Sequence, residues 1–166
     1  TEDMKARGHV PTTVVLSALE QVPPQSAAAS LRLRGEETAY RLERLRIADG
    51  VPMALEIGWY PAAALPDLLT HDLAGSIYSH FETTYGATVD SAEQTLWAEP
   101  AGTQRGRLLR MDANAPLLAF RRTSSAGNLI IEHMTSWYRA DRYQVHMSLD
   151  RSLARPAEPF PAGGAS

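Results

Sequence analysis

The stretch Arg44-Leu45-Arg46-Ile47-Ala48-Asp49-Gly50-Val51-Pro52-Met53-Ala54-Leu55-Glu56 decides how this chain is read. Tyr40 to Ala48 alternates as a half-buried strand does, and Asp49-Gly50 is a turn signal, so the stretch reads as a β-hairpin with arms at Tyr40–Ala48 and Pro52–Tyr60. Side chains two apart on a strand share a face. Arg44 and Arg46 therefore point the same way, roughly 6 to 7 Å apart. Two guanidiniums side by side repel each other and sit most easily in water or around an anion. A phosphate fits the gap because it matches guanidinium bidentately. The plainer alternative is a pair of solvated arginines on an edge face. The direction of Glu56 depends on the turn. A two-residue loop pairing Ala48 with Val51 would set Arg44 opposite Leu55 and send Glu56 to the other face. A three-residue loop with Gly50 left-handed would pair Ala48 with Pro52 and place Glu56 across from Arg44. The second register is preferred here, since it gives one pocket two cations and a carboxylate.

The bulk numbers exclude several classes. The chain has 166 residues, enough for one domain with a real core, and is 44% hydrophobic and 21% charged. A net charge of −3 gives no electrostatic footprint for nucleic acid on this segment itself. No apolar run is long enough to span a membrane, and no signal peptide is visible. Cysteine is absent, which removes disulfides and thiolate metal sites and suits a cytoplasmic protein. Lys5 is the only lysine among 16 basic residues, which together with abundant alanine reads as genome composition bias. The chain begins at Thr1 without methionine, as expected of one domain cut from a longer protein.

Along the chain, Thr12 to Glu20 reads as a first strand ended by Pro23-Pro24, and Ser26 as the cap of a short helix over Ala27 to Leu33. Pro61 to Leu69 reads as a helix turn with Pro66 in a surface loop. Ile77 to Tyr85 is a clear helix with Ile77, Phe81 and Tyr85 on one face, closed by Gly86. Ala87 to Ala98 reads as a strand, Ala101 to Leu109 as a helix, and Pro116 to Ser124 as a strand. Gly127-Asn128 turns into a strand at Leu129 to Trp137, and Arg139 to Asp141 turns into another at Arg142 to Leu149. Strands outnumber helices and most neighbours are hairpin-linked, so an α+β fold on an antiparallel sheet is expected. Arg155 to Ser166 reads as a mobile tail.

Gly75-Ser76 opens the Ile77–Tyr85 helix, and a helix N-terminus favours an anion through its unbonded N–H groups. Ser76 is either a ligand donor or a plain cap. Glu132, among Ile130, Ile131 and Met134, is either solvated or holds a polar ligand. Tyr138 shares its parity but lies about 20 Å away along a straight strand, so both reach one small ligand only if the chain bends. His9, His71, His80, His133 and His146 have no metal spacing, and no nucleophile elbow or phosphate-cradling glycine motif occurs. Trp59, Trp97 and Trp137 fall on strands and read as packing residues.

Four blocks follow one another along the chain: Thr1 to Gly8, Arg44-Leu45-Arg46 through Glu56, Ser76-Ile77-Tyr78, and Tyr138-Arg139-Ala140-Asp141-Arg142-Tyr143. In these, and in their order, the chain resembles the effector-binding (UTRA) domain of GntR-family, HutC-subfamily transcriptional regulators over residues 1–150. The likeness is greatest to repressors that sense glucosamine 6-phosphate or N-acetylglucosamine 6-phosphate. Other members sense urocanate, other sugar phosphates or fatty acids. The resemblance implies a chorismate-lyase-like α+β fold, with an antiparallel sheet flanked by helices, and a homodimer. It also implies a winged helix-turn-helix domain ahead of this segment, which alone would contact DNA. Matched by position, Arg44, Arg46, Ser76, Tyr78 and Thr1 would hold a phosphate, and Glu56, Glu132 and Tyr138 would face the sugar. No cofactor, metal, membrane or catalytic residue is implied. Two departures stand out. Ala140 replaces the family's glycine, which at positive φ would cost on the order of 1 kcal/mol. The divergent segment Glu20 to Glu36 is expected beside the pocket. The rival reading is a lyase gripping a small carboxylate with the arginines, with Glu56 or Glu132 as general acid.

Overall fold

A computed structural model describes residues 11–147. Thr1 and the tail at 151–166 lie outside them. Six strands form a single antiparallel sheet: β1 (Pro11–Gln21), β2 (Ala39–Ala48), β3 (Val51–Pro61), β4 (Ser91–Pro100), β5 (Pro116–Ala126) and β6 (Leu129–Arg139). The spatial order is β1-β2-β3-β6-β5-β4. Two three-stranded meanders therefore meet along β3 and β6. The connection between them carries a short 3-10 turn (Leu68–Thr70) and a nine-residue helix, Ile77–Tyr85. In chain order the helices are α1 (Gln25–Leu31), α2 (Ile77–Tyr85) and α3 (Gly102–Leu109).

Alternation dictates which side each helix covers. On one face Leu42, Tyr40, Tyr60 and Ile131 pack against Ile77 and Phe81 of α2 and against Leu65, Leu68 and Leu73 of the connection. On the other face Ala27 and Leu31 of α1 pack on Trp59, while Leu109 of α3 packs with Leu117, Leu45 and Trp137. The expected boundaries of α2 are those observed, with the Ser76 side chain accepting the Ser79 N–H at 3.3 Å and Gly86 closing the helix at φ 62°.

The hairpin reaches the expected pairing by a different route. Its loop is Asp49-Gly50 alone, both at positive φ (51° and 77°), with Ala48 opposite Val51. That is the two-residue turn, not the three-residue loop preferred from the sequence. The register slips afterwards: Ile47 pairs with Pro52 but Arg46 with Ala54, leaving Met53 bulged. Pro52 has no N–H to give the ladder, and prolines inside sheets gather at strand starts and bulges. The slip brings Arg44 opposite Glu56. The bulge thus sits at Met53, not at Gly50.

Other differences have local causes. Ser26 does not cap α1: Pro24 precedes the helix, its carbonyl accepts the Ala28 N–H at 2.9 Å, and Ser26 lies inside the first turn. The helix ends at Leu31, where Arg32 turns left-handed and the Leu33 N–H returns to the Ala28 carbonyl at 2.9 Å. β4 begins at Ser91, because Ala87 and Val89 pack against the core under α2. Residues 142–147 form no strand, and the remainder of the strand expected there, through Leu149, lies outside the described residues. The chain curls instead: the Arg142 and Tyr143 N–H groups both return to the Arg139 carbonyl, at 3.2 and 3.0 Å. β6 already has a partner on each side, β3 and β5, so no edge is left beside it for another strand.

Phe81 is fully buried between Tyr60 and Tyr78, with ring centroids 6.0 and 5.5 Å away. Phe81→Ala is expected to destabilise the domain by about 3 to 5 kcal/mol, read as a lower midpoint in urea unfolding.

Candidate functional site

The ladders lay out the floor of a cleft on the α2 face. One row across the sheet is Leu42, Gly58, Met134, Arg122; the next is Arg44, Glu56, Ser136, Phe120; the third is Arg46, Ala54, Tyr138, Leu118. Small residues, Gly58, Ala54 and Ser136, lie in the middle, with arginines at both sides. A cavity of about 550 Å³ opens there. It is lined by Arg44, Arg46, Glu56 and Tyr138 from the sheet floor, and by Ser76 and Tyr78 at the start of α2. Its size is in the range of small-molecule sites.

The two anion signals read separately from the sequence, an arginine pair and a helix start, thus face one cavity. Arg44 is the link between them. Its Nη2 donates to Glu56 Oε2 at 2.8 Å, and its Nη1 approaches the carbonyls of Leu73 and Gly75, each at 3.4 Å. Burial disfavours its charge, but Glu56 opposite, with Tyr60 and Glu132, outweighs that and raises its pKa. Arg46 is 3% exposed, so both guanidiniums are held inside the fold. Ser76 is an exposed cap whose Oγ accepts from Ser79, which leaves the hydroxyl proton for a ligand. The cap and ligand readings of Ser76 are therefore compatible.

Glu132 is neither solvated nor part of the cavity wall. It is 1% exposed, and its Oε1 accepts both the Tyr78 hydroxyl at 2.7 Å and the Ser124 hydroxyl at 3.0 Å. Burial pushes its carboxyl up, against the two hydrogen bonds that favour the ionised form. β6 pairs residue for residue with β5 from Glu132 to Arg139, so no bulge bends the strand between Glu132 and Tyr138. Tyr138 lines the cavity, stacked on Tyr143 with centroids 4.2 Å apart and edge-on to Phe120. Its hydroxyl is pushed far above the usual tyrosine range by burial and by Glu56. Thr1 lies outside the described residues.

Two further expectations are corrected. Ala140 is not at positive φ, so the alanine carries no left-handed strain there. The divergent segment does not neighbour this cavity: α1 packs on Trp59, on the opposite face of the sheet. Sequence reasoning also missed Arg122, which lines the cavity from β5 and whose Nε donates to Gln94 Oε1 at 2.9 Å. Among the described residues no cluster of His, Asp and Glu could hold a metal ion, and no helix is long and apolar enough to cross a membrane.

Known proteins share this fold. Residues 6–144 match the UTRA domain, and the chain belongs to that family, the effector domain of GntR-family regulators. The transcriptional repressor NagR of Bacillus subtilis is 31% identical over 152 residues, covering 91% of this chain and 63% of that protein. The solved effector domain of PhnF from Mycobacterium smegmatis is 26% identical, with a TM-score of 0.84 over 90% of this chain and 93% of that one. A GntR-family regulator from Enterococcus faecalis, at 23% identity and a TM-score of 0.77 over 82% of this chain and 99% of that one, shares the fold. The chain spans about three-fifths of the length of the first curated relatives, 63% and 62%. These relatives are repressors, not enzymes, which fits a regulatory domain and not the lyase alternative.

Because the folded state raises the pKa of Glu132, it holds a proton that the unfolded chain releases at lower pH. The stability this gives is full below the unfolded carboxylate pKa and is lost as pH rises through the folded value. Glu132→Gln keeps an oxygen to accept from Tyr78 and Ser124 but cannot titrate. Urea titrations across mildly acidic to neutral pH should show a shallower loss of stability with rising pH in the variant than in the parent.

Proposed function

We propose that the cavity is the effector site of a cytoplasmic transcriptional repressor and takes a small phosphorylated metabolite such as N-acetylglucosamine 6-phosphate or glucosamine 6-phosphate. The observation that carries this reading is the convergence of Arg44 and Arg46 with the start of α2 on one cavity. Arg46, the Ser76 hydroxyl and the first N–H groups of α2 surround the phosphate, with Arg44 behind them. Tyr78 gives its proton to Glu132, so its hydroxyl oxygen can only accept, from a hydroxyl of the ligand, and offers the phosphate no hydrogen bond. Glu56 and Tyr138 face the sugar, and Glu132 acts on it only through Tyr78. The resemblance of the four sequence blocks to amino-sugar-sensing repressors, with the 31% identity to the repressor NagR, supports this choice of ligand.

The mechanism is a population shift in a homodimer whose DNA-binding winged helix-turn-helix domains belong to the rest of the protein. Effector stabilises one arrangement of the dimer and spaces those domains wrongly for the operator. Moving the equilibrium from nearly all of one state to nearly all of the other takes about 5.5 kcal/mol of differential affinity. Arg44 supplies a route for it: it bonds to the Leu73 and Gly75 carbonyls, so a phosphate that draws on the arginines is felt by the segment that starts α2.

Calorimetric titration with the two sugar phosphates, and with free N-acetylglucosamine as control, tests the reading. Tight binding by the phosphorylated sugars and only weak binding by the free sugar are expected. Arg46→Ala should weaken them by about one to two orders of magnitude while changing the affinity of the free sugar little. Equal losses for both would remove Arg46 from the phosphate.

A further inference from the structure

Arg122 stands on the far side of the cleft from the arginine pair. It comes from the second meander, three strands across the sheet from β2, or about 14 Å between backbones. A phosphate seated on Arg46 and the start of α2 leaves Arg122 to meet whatever the ligand carries at its other end. The guanidinium is placed for this. Its Nε is held by Gln94 Oε1 at 2.9 Å across the β4–β5 ladder, which fixes the plane of the group. It is half-buried and lines the cavity beside Tyr78, Met134 and Tyr138, and the Tyr78 hydroxyl and the Glu132 carboxylate offset the burial of its charge. Of the buried carboxylates on this face, Glu132 already accepts from Tyr78 and Ser124. Glu56 is paired with Arg44 on the other side.

A guanidinium only donates hydrogen bonds, and so does an ammonium. In a half-buried cleft two such cations repel, whereas an amide carbonyl or a carboxylate receives the donors that Gln94 and Tyr78 do not use. We infer that Arg122 is a specificity-determining contact that favours effectors with a neutral or anionic acceptor opposite the phosphate, such as an acetamido group, over effectors with a free ammonium there. The inference rests on the sugar-phosphate reading above. It gives Arg122 a separate role from Arg44 and Arg46, which hold the phosphate whatever the remainder of the ligand is. The competing charges on the wall are the carboxylates of Glu82 of α2 and of Glu56, which line the same cavity and would favour an ammonium; Glu56 is already paired with Arg44.

The test is calorimetric titration of the parent and of Arg122→Met with N-acetylglucosamine 6-phosphate, glucosamine 6-phosphate and glucose 6-phosphate at neutral pH. The last shares the phosphate and has only a hydroxyl at the substituted carbon. Arg122→Met is expected to shift the affinity ratio of the first two ligands by about tenfold toward the amine, with glucose 6-phosphate changed by less than about threefold. Arg122→Gln, which keeps a polar group beside Gln94 but no charge, should shift the ratio the same way, and serves if the methionine variant does not fold. An unchanged ratio in folded variants would overturn the inference and assign the choice to the carboxylates of Glu56 and Glu82. Collapse of glucose 6-phosphate binding with the others would also overturn it, by showing that Arg122 holds the phosphate. If no sugar phosphate binds the parent protein, the effector reading itself fails and this inference with it.

Discussion

The buried pair of Arg44 and Glu56 organises the site. Its partners stand opposite each other on β2 and β3, 2.8 Å apart, with side chains only 8% and 9% exposed. An ion pair so far from water gains little net stability, because desolvating both charges offsets most of their attraction. Its effect is positional. The same guanidinium reaches the carbonyls of Leu73 and Gly75, so the hairpin and the start of α2 are joined through one side chain. Without Glu56, Arg44 would be a buried cation facing Arg46. With it, the cavity keeps a defined cationic side, and the helix start is held against that side.

This arrangement depends on one extra residue. The tight Asp49-Gly50 turn alone would turn Glu56 away from the arginines. Met53, bulged after a proline that cannot complete the ladder, restores it. β-bulges re-aim side chains near functional sites in this way. A second bulge, at Ile131 where β5 meets β6, lies beside the buried carboxylate: Ser124 pairs with Glu132 but Ser125 with Ile130. Ile131 enters the core under α2 while Glu132 takes the Tyr78 and Ser124 hydroxyls.

Much of this is legible in the amino-acid sequence. The face shared by Arg44 and Arg46 follows from strand periodicity, and the limits of α2 from Ser76 and Gly86. The α+β antiparallel class follows from hairpin-linked strands. What could not be read has a common origin in long-range pairing. The join of β3 to β6 sets Arg122 across from the arginine pair, and no local pattern encodes that join. The same join leaves no partner for the strand expected after Arg142. Glu132 was ambiguous because its burial depends on Tyr78, which lies 54 residues away. The hairpin register came out correctly by the wrong turn, since Asp-Gly suits both a tight turn and a glycine bulge and only the later slip at Met53 separates them.

Whether the arginine pair and the start of α2 form one phosphate seat is tested most directly by a crystal structure of the domain with N-acetylglucosamine 6-phosphate. The phosphate is expected between the guanidinium of Arg46 and the first N–H groups of α2, within hydrogen-bond distance of the Ser76 hydroxyl. A phosphate bound elsewhere, or seated on Arg122 with the arginine pair unengaged, would contradict that assignment.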